Sequence, residues 1–103
     1  MAKFHTQQEI KHIKKNGTKF INYYMGIYII PSDLNKKYII IGKKIEKKAH
    51  DRNLIRRRIT HILSSITGHQ IVVCLFKKNN FSFIWLKKNI TTNLHLIKNS
   101  LKN

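Results

Sequence analysis

The chain has 103 residues, enough for one domain that buries roughly 60–70 % of the surface its unfolded state exposes. Lysine and arginine number 21 against four acids, and the formal net charge is +17 at pH 7. Because self-repulsion on that scale destabilises a compact chain, we expect a polyanionic partner, with nucleic acid favoured over an anionic membrane.

Membrane insertion and secretion are disfavoured by the sequence. No apolar run approaches the roughly 20 residues that span a bilayer, and the start MAKFHTQQ lacks the apolar core of a signal peptide. Cys74 is the only cysteine, so no internal disulfide is possible, and its apolar neighbours indicate an unreactive core thiol. We therefore expect a cytoplasmic protein with no membrane partner.

The first predicted element is a short helix over residues 7–15. Thr6 and Glu9 have the spacing of a capping box, in which the Thr6 hydroxyl accepts from the Glu9 backbone N–H and the Glu9 side chain reaches back. Asn16 and Gly17 then predict a left-handed stop, since glycine takes positive φ without a Cβ penalty.

A strand is predicted over residues 20–30, and a turn at 31–35 leads to a second strand at residues 38–42. In the first strand the odd positions from 21 to 29 are all apolar or aromatic, while the even positions include Tyr24 and Tyr28. This alternation predicts one core face and one open face that bears tyrosines. We expect the two strands to pair as an antiparallel hairpin.

The second half of the chain predicts two amphipathic helices around a central strand. Residues 48–66 carry isoleucine and leucine at helical spacing opposite a strongly basic side, and Gly68 follows as a stop. The apolar, β-branched run at 70–76 suits a strand covered on both faces. A last helix is predicted over 84–101, with an apolar stripe formed by Leu86, Ile90, Leu94, Ile97 and Leu101.

The block KKIEKKAHDRNLIRRR, residues 43–58, is the densest concentration of charge. At about 100° per residue, one helix arc beside the apolar stripe carries Asn53, Arg56, Arg57 and Thr60, with Arg52 at its edge in the first turn. Guanidinium groups bind phosphate oxygens bidentately, and an asparagine can read a base edge or brace an arginine. The face therefore suits a folded RNA backbone, and the alternative is an ordinary solvated helix face.

At this block the sequence resembles the ribonuclease P protein family, whose signature runs Lys-Lys, a spacer ending in Ala-x-x, then Arg-Asn-x-Ile-Lys-Arg. The spacer here has the longer form seen in gammaproteobacterial members. The order of predicted elements also agrees over most of the chain. The resemblance implies a single-domain α+β sandwich of order α-β-β-β-α-β-α with a left-handed βαβ crossover, similar to the second domain of ribosomal protein S5.

The resemblance further implies the protein subunit of an endoribonuclease that removes the 5′ leader of precursor tRNA. Its partners would be the ribonuclease P RNA and precursor tRNA, with no further protein required. Catalysis would belong to the RNA and its Mg²⁺ ions, while the protein screens phosphate repulsion and positions the leader. The chief alternative is a small basic ribosomal protein, followed by a cationic membrane-active protein.

Site residues follow from matching positions to the family. The positions that match the family's RNA-binding motif are Lys43, Lys44, Arg52, Asn53, Arg56 and Arg57, and Lys48 of the same basic block is also predicted to contact the RNA subunit. Tyr28 matches an aromatic of the leader cleft, Tyr24 is added from periodicity alone, and Lys14 is added from the first helix. Base stacking on such a ring is worth roughly 1–3 kcal/mol and tolerates any sequence. The alternative for Tyr28 is a tyrosine that packs at a sheet edge.

Four positions depart from the family pattern: Ile10, Lys14, Leu54 and Thr60. Elsewhere the sequence predicts no catalytic or metal site in the protein. The histidines at 5, 12, 50, 61, 69 and 95 show no ligand pairing with Cys74, and the four acids offer no carboxylate pair for a two-metal nuclease.

Overall fold

The computed structural model describes residues 2–77 and 81–101, with side chains for residues 7–77 and 81–93. The elements are α1 (Ala2–Asn16), β1 (Thr18–Ile21), β2 (Met25–Pro31), β3 (Lys37–Ile40), α2 (Ala49–Leu63), β4 (His69–Leu75) and α3 (Phe83–Leu101). This order confirms the predicted α-β-β-β-α-β-α arrangement. No helix within the described ranges is long and apolar enough to cross a membrane.

The four strands form one mixed sheet in the order β1-β2-β4-β3. β2 pairs antiparallel with both β1 and β4, whereas β3 runs parallel to β4 and is joined to it through α2. The predicted hairpin between residues 20–30 and 38–42 is therefore wrong, because β4 lies between those two segments. β4 can take that place because its apolar side chains can be covered on both faces.

The strand predicted over residues 20–30 is in fact two strands with a turn between them. The Asn22 side-chain oxygen accepts hydrogen bonds from the backbone N–H groups of Tyr24 and Met25, at 2.8 and 2.9 Å. Such an asparagine turn reverses the chain. The apolar alternation continues through it, so periodicity alone predicted a single strand.

Helices cover both faces of the sheet. On one face, α2 and α3 bury the core formed by Met25, Ile27, Ile29, Ile55, Ile59, Leu63, Ile71, Val73, Leu75, Leu86 and Ile90, among others. On the other face, Ile13 of α1 packs against Tyr28, Val72 and Cys74. β4 thus contributes buried side chains to both layers, as its apolar run predicted.

The helix ends differ from the sequence-based expectations. α1 begins at Ala2, so Thr6 lies inside the helix and cannot be its cap; the Thr6 side chain lies outside the described ones. Gly17 is not in the left-handed region, which among the described glycines only Gly68 adopts, at φ +73°. α2 ends at Leu63, before Gly68.

α3 begins at Phe83, one residue before its predicted start. Its stripe is confirmed at Leu86 and Ile90, which are fully buried. The side chains of Leu94, Ile97 and Leu101 lie outside the described ones, as do those of His5 and His95.

Candidate RNA interface

The basic loop–helix surface comprises the seven predicted residues Lys43, Lys44, Lys48, Arg52, Asn53, Arg56 and Arg57. Lys43 and Lys44 lie in a turn after β3, and Lys48 directly precedes α2; all three are exposed. The backbone N–H of Ile45 donates to the carbonyl oxygen of Gly42 at 3.0 Å, and the Ile45 side chain is buried. Because Ile45 anchors the turn in the core, the neighbouring lysines project from a fixed backbone.

Arg52 connects the turn to the helix. Its Nη1 donates hydrogen bonds to the carbonyl oxygens of Glu46 and Lys47, at 2.9 and 2.8 Å. These bonds hold the guanidinium in one position and satisfy backbone oxygens that precede α2. The side chain is half-buried, so a phosphate could approach its outer edge without breaking either bond.

Asn53 and Arg56 form a pair on the surface of α2. Nη1 of Arg56 donates to the side-chain oxygen of Asn53 at 3.1 Å, and Nε of Arg56 lies 3.4 Å from the carbonyl oxygen of Ile39 on β3. Of the two roles that the sequence left open for the asparagine, the structure shows the bracing one. Arg57, one residue on, is exposed. The basic residues of α2 thus lie together, away from the buried stripe of the helix.

Arg58 has a different environment from its neighbours. Its Nη1 donates to the carbonyl oxygen of Phe81 at 3.0 Å, which links α2 to the segment before α3. Phe81 is buried and has φ of +49°. Arg58 therefore helps to hold the backbone at a position where a left-handed conformation is unfavourable for a bulky residue.

Tyr28 does not lie on an open face. Only 7 % of the residue is exposed, because α1 covers this side of the sheet and packs Ile13 beside it. The ammonium of Lys14 lies 5.6 Å from the centre of the Tyr28 ring, so these two predicted leader-binding residues are neighbours. The open-face expectation is wrong, because a strand's alternation does not reveal which helix packs on it.

Tyr24 is separated from that pair. It lies in the turn between β1 and β2, and its ring contacts the rings of Tyr23 and of Trp85 on α3, with centroids 5.1 and 5.3 Å apart. Trp85 packs against the core between the sheet and α3. The expectation that Tyr24 shares a strand face with Tyr28 is therefore wrong.

A groove of about 500 Å³ connects the basic turn to the sheet. It is lined by Lys14, Ile40, Gly42, Lys43, Lys44, Ile45, Cys74, Leu75 and Phe76. Three lysines thus surround an apolar floor. Phe76 was not among the predicted site residues, although period-two alternation from Val72 and Cys74 would have placed it on the α1 face.

Two side chains near α1, those of Tyr38 and Cys74, have a raised pKa. Burial, followed by a hydrogen bond to Glu9 and the charge of Glu9, raises the pKa of Tyr38 from its ordinary 10.0 to about 12. Glu9 also lies 3.8 Å from the ammonium of Lys36. Burial raises the pKa of the Cys74 thiol, although the charge of Lys14 acts in the opposite direction. In the described part of the chain, no three metal-ligating side chains come together.

Comparison with known proteins places the chain in a family. The ribonuclease P protein of Staphylococcus aureus is 19 % identical and has a TM-score of 0.73, with 88 % of this chain and 90 % of that chain covered. The ribonuclease P protein of Thermotoga maritima is 21 % identical and has a TM-score of 0.69, with 85 % of this chain and 90 % of that chain covered. No curated protein sequence matches. These structures share the fold, and the Ribonuclease P family model matches residues 1–98, so the chain belongs to the Ribonuclease P family.

Proposed function

We propose that this protein binds the ribonuclease P RNA through its basic loop–helix surface. Arg52 and Arg56 support the proposal because hydrogen bonds within the protein already hold their guanidinium groups. A pre-positioned arginine loses less conformational freedom when it binds phosphate, so more of the interaction energy appears as affinity. The small basic ribosomal protein, the chief alternative from the sequence, is not favoured by the family match.

We further propose that the groove holds the single-stranded 5′ leader of precursor tRNA. Lysines at its walls can follow a phosphate backbone, and an apolar floor can accept bases of any identity. Such tolerance suits a protein that serves many precursors. In this proposal Lys14 contacts the leader, as the sequence predicted. The Tyr28 ring lies beneath the Lys14 ammonium and supports this wall of the groove.

One observation carries the proposal most directly: Lys43 and Lys44 belong to both the groove and the basic loop–helix surface. An RNA subunit on α2 and a leader in the groove would therefore lie side by side. The protein would bind the catalytic RNA and its substrate together, and its positive charge would screen the repulsion between them.

Catalysis is assigned to the RNA subunit and Mg²⁺ ions held mainly by it. Of the protein's acids, Glu9 is already engaged by Tyr38 and Lys36, and Glu46 and Asp51 line one shallow pocket together with Arg58. When bound, Mg²⁺ activates water and stabilises a leaving oxygen. The protein's own residues would position the leader, and the complex would act in the cytoplasm.

The test is 5′ cleavage of a precursor tRNA by the cognate ribonuclease P RNA at low salt and low Mg²⁺, with and without this protein. We expect stimulation by the protein and no cleavage by the protein alone. Replacing Lys43 and Lys44 together by alanine should reduce stimulation, whereas the matched control, Lys87→Ala with Lys88→Ala on α3, should not. Cleavage by the protein alone, or no stimulation of the RNA, would refute the proposal.

A further inference from the structure

Phe76 is a partly exposed aromatic residue on the floor of the groove. It directly follows β4, and 40 % of it is exposed. Its backbone N–H donates to the carbonyl oxygen of Tyr24 at 2.7 Å, which extends the pairing of β4 with the β2 side of the sheet. The backbone at Phe76 is therefore fixed although its ring is open to solvent.

The ring of Phe76 lies against the backbone of Gly26. A Cβ at position 26 would be only 2.8 Å from Cζ of Phe76, a distance that real Cβ atoms essentially never show. The same Cβ would be 3.2 Å from Cε2 of Tyr28, so the glycine lies between two rings. The missing side chain at this position allows the Phe76 ring to approach the strand.

The surroundings of Phe76 match the requirements of an unpaired nucleotide. Lys14, Lys43 and Lys44 line the same groove and can neutralise phosphates, while the ring offers an apolar face for a base. Tyr28 offers little such surface because it is nearly buried. Among the residues that line this groove, Phe76 is therefore the aromatic one, and its ring is substantially exposed.

We propose that Phe76, seated against Gly26, is the residue on which a nucleotide of the precursor tRNA leader stacks. The proposal rests on the proposed function of the groove and names the residue that recognises the leader. Because stacking on an aromatic ring does not read base identity, Phe76 would strengthen binding of precursors with different leader sequences to a similar degree.

The experiment measures the affinity of the reconstituted holoenzyme for precursor and for mature tRNA. Phe76→Ala should weaken precursor binding by roughly 5- to 150-fold, the range expected for loss of one stacked base, and leave mature tRNA binding unchanged. Phe76→Tyr should retain the preference for precursor. Phe76→Leu should lose most of it, because leucine keeps apolar bulk but has no flat ring.

Two further variants sharpen the test. Ile84→Ala removes an 81 % exposed apolar residue from α3 that does not line the groove, and should change neither affinity. Gly26→Ala should weaken precursor binding because the Phe76 ring has to move. A leader that carries a fluorescent adenine analogue should show stacking-induced quenching with the parent protein and Phe76→Tyr, but not with Phe76→Leu.

The outcomes separate this proposal from the one on which it rests. If the parent holoenzyme prefers precursor and Phe76→Ala or Phe76→Leu keeps the full preference, Phe76 is not the stacking residue although the groove still binds leader. If the parent holoenzyme binds precursor and mature tRNA equally, the leader-binding function itself fails. Equal weakening of both substrates by Phe76→Ala, with Phe76→Leu normal, would show that the ring only fills space.

Discussion

At the scale of single residues, the basic loop–helix surface allows the charge of an arginine and the ordering of its side chain to be tested separately. Arg52 and Arg56 carry charge, whereas Asn53 carries none but holds Arg56 in place. Removal of a charge alters the number of counterions released on binding, while removal of the brace alters only the order of the arginine.

We therefore predict different salt responses for these variants. Arg52→Ala and Arg56→Ala should weaken binding to the RNA subunit and flatten its log–log salt dependence by roughly 0.7–0.9 units per lost phosphate contact. Asn53→Ala should weaken binding with an unchanged slope. Affinity titrations over a salt series measure both quantities, with Lys88→Ala on α3 as the charge-matched control. An unchanged slope in both arginine variants would show that α2 does not contact the RNA.

Tyr38 should titrate at unusually high pH. Its folded pKa of about 12 lies above the ordinary 10.0, so the protonated phenol stabilises the native state fully below pH 10, and this contribution is lost as the pH rises through about 12. The difference in phenolate absorbance between the parent protein and Tyr38→Phe isolates this titration. Glu9→Gln should lower the midpoint but leave it above 10, because burial is the largest cause. A difference titration centred near 10 in the parent would contradict the assignment.

The tyrosines show what residue-level patterns can and cannot predict. Alternation correctly placed Met25, Ile27 and Ile29 in the core. It could not show that α1 covers the other face and buries Tyr28, because that contact depends on packing between distant segments. The motif likewise located the arginines without revealing which ones the fold already uses, as Arg58 is used to hold Phe81.

At the scale of elements, the junction between α1 and the sheet depends on a close approach of two backbones. A Cβ at Gly17 would be 2.7 Å from the carbonyl oxygens of both Ile13 and Ile29. The glycine was expected for its freedom to take positive φ, and its actual role is to leave space between α1 and β2.

Gly17→Ala should therefore destabilise the protein by roughly 1–3 kcal/mol, the usual cost of forcing extra volume into a packed site. Gly42→Ala is the matched control, since a Cβ there would meet nothing within 4 Å and should change stability by about 0.5 kcal/mol or less. Urea denaturation measures both free energies of unfolding. Equal stability of the two variants would mean that α1 moves away from β2 at little cost.

The elements themselves were largely predictable, whereas their pairing was not. Helical and strand periodicity located α2, β4 and α3 to within a few residues of their ends. Sequence proximity suggested a β2–β3 hairpin, but the place between these strands belongs to β4, which comes later in the chain and has five consecutive buried residues. Local sequence patterns identify the strands but do not show which strand will lie between two others in the sheet.

At the scale of the whole molecule, charge dominates. The net charge is +17, and the described residues contain a single ion pair, Lys36 with Glu9. Repulsion among the remaining cations is therefore screened mainly by solvent ions or by bound RNA.

The free protein should become more stable as salt is added, in contrast to its RNA complex, whose affinity should fall. Each kcal/mol of screened repulsion should raise Tm by roughly 4–8 °C for a domain of this size. Thermal unfolding followed by circular dichroism at low and high salt measures the change. Lys87→Glu with Lys88→Glu, which lowers the net charge, should reduce the salt response; a Tm that falls with salt in the parent would disprove dominant repulsion.

The position of β4 between β2 and β3 has a consequence for synthesis of the protein. Among the described strands, β3 pairs only with β4. Until β4 has left the ribosome, β3 therefore has no strand to pair with, and α2 follows an unpaired strand. The most basic segment of the chain would thus emerge before the sheet that supports it can close. A product truncated before residue 69 would lack the strand that holds β3 beside Arg56, so we expect it to bind RNA poorly.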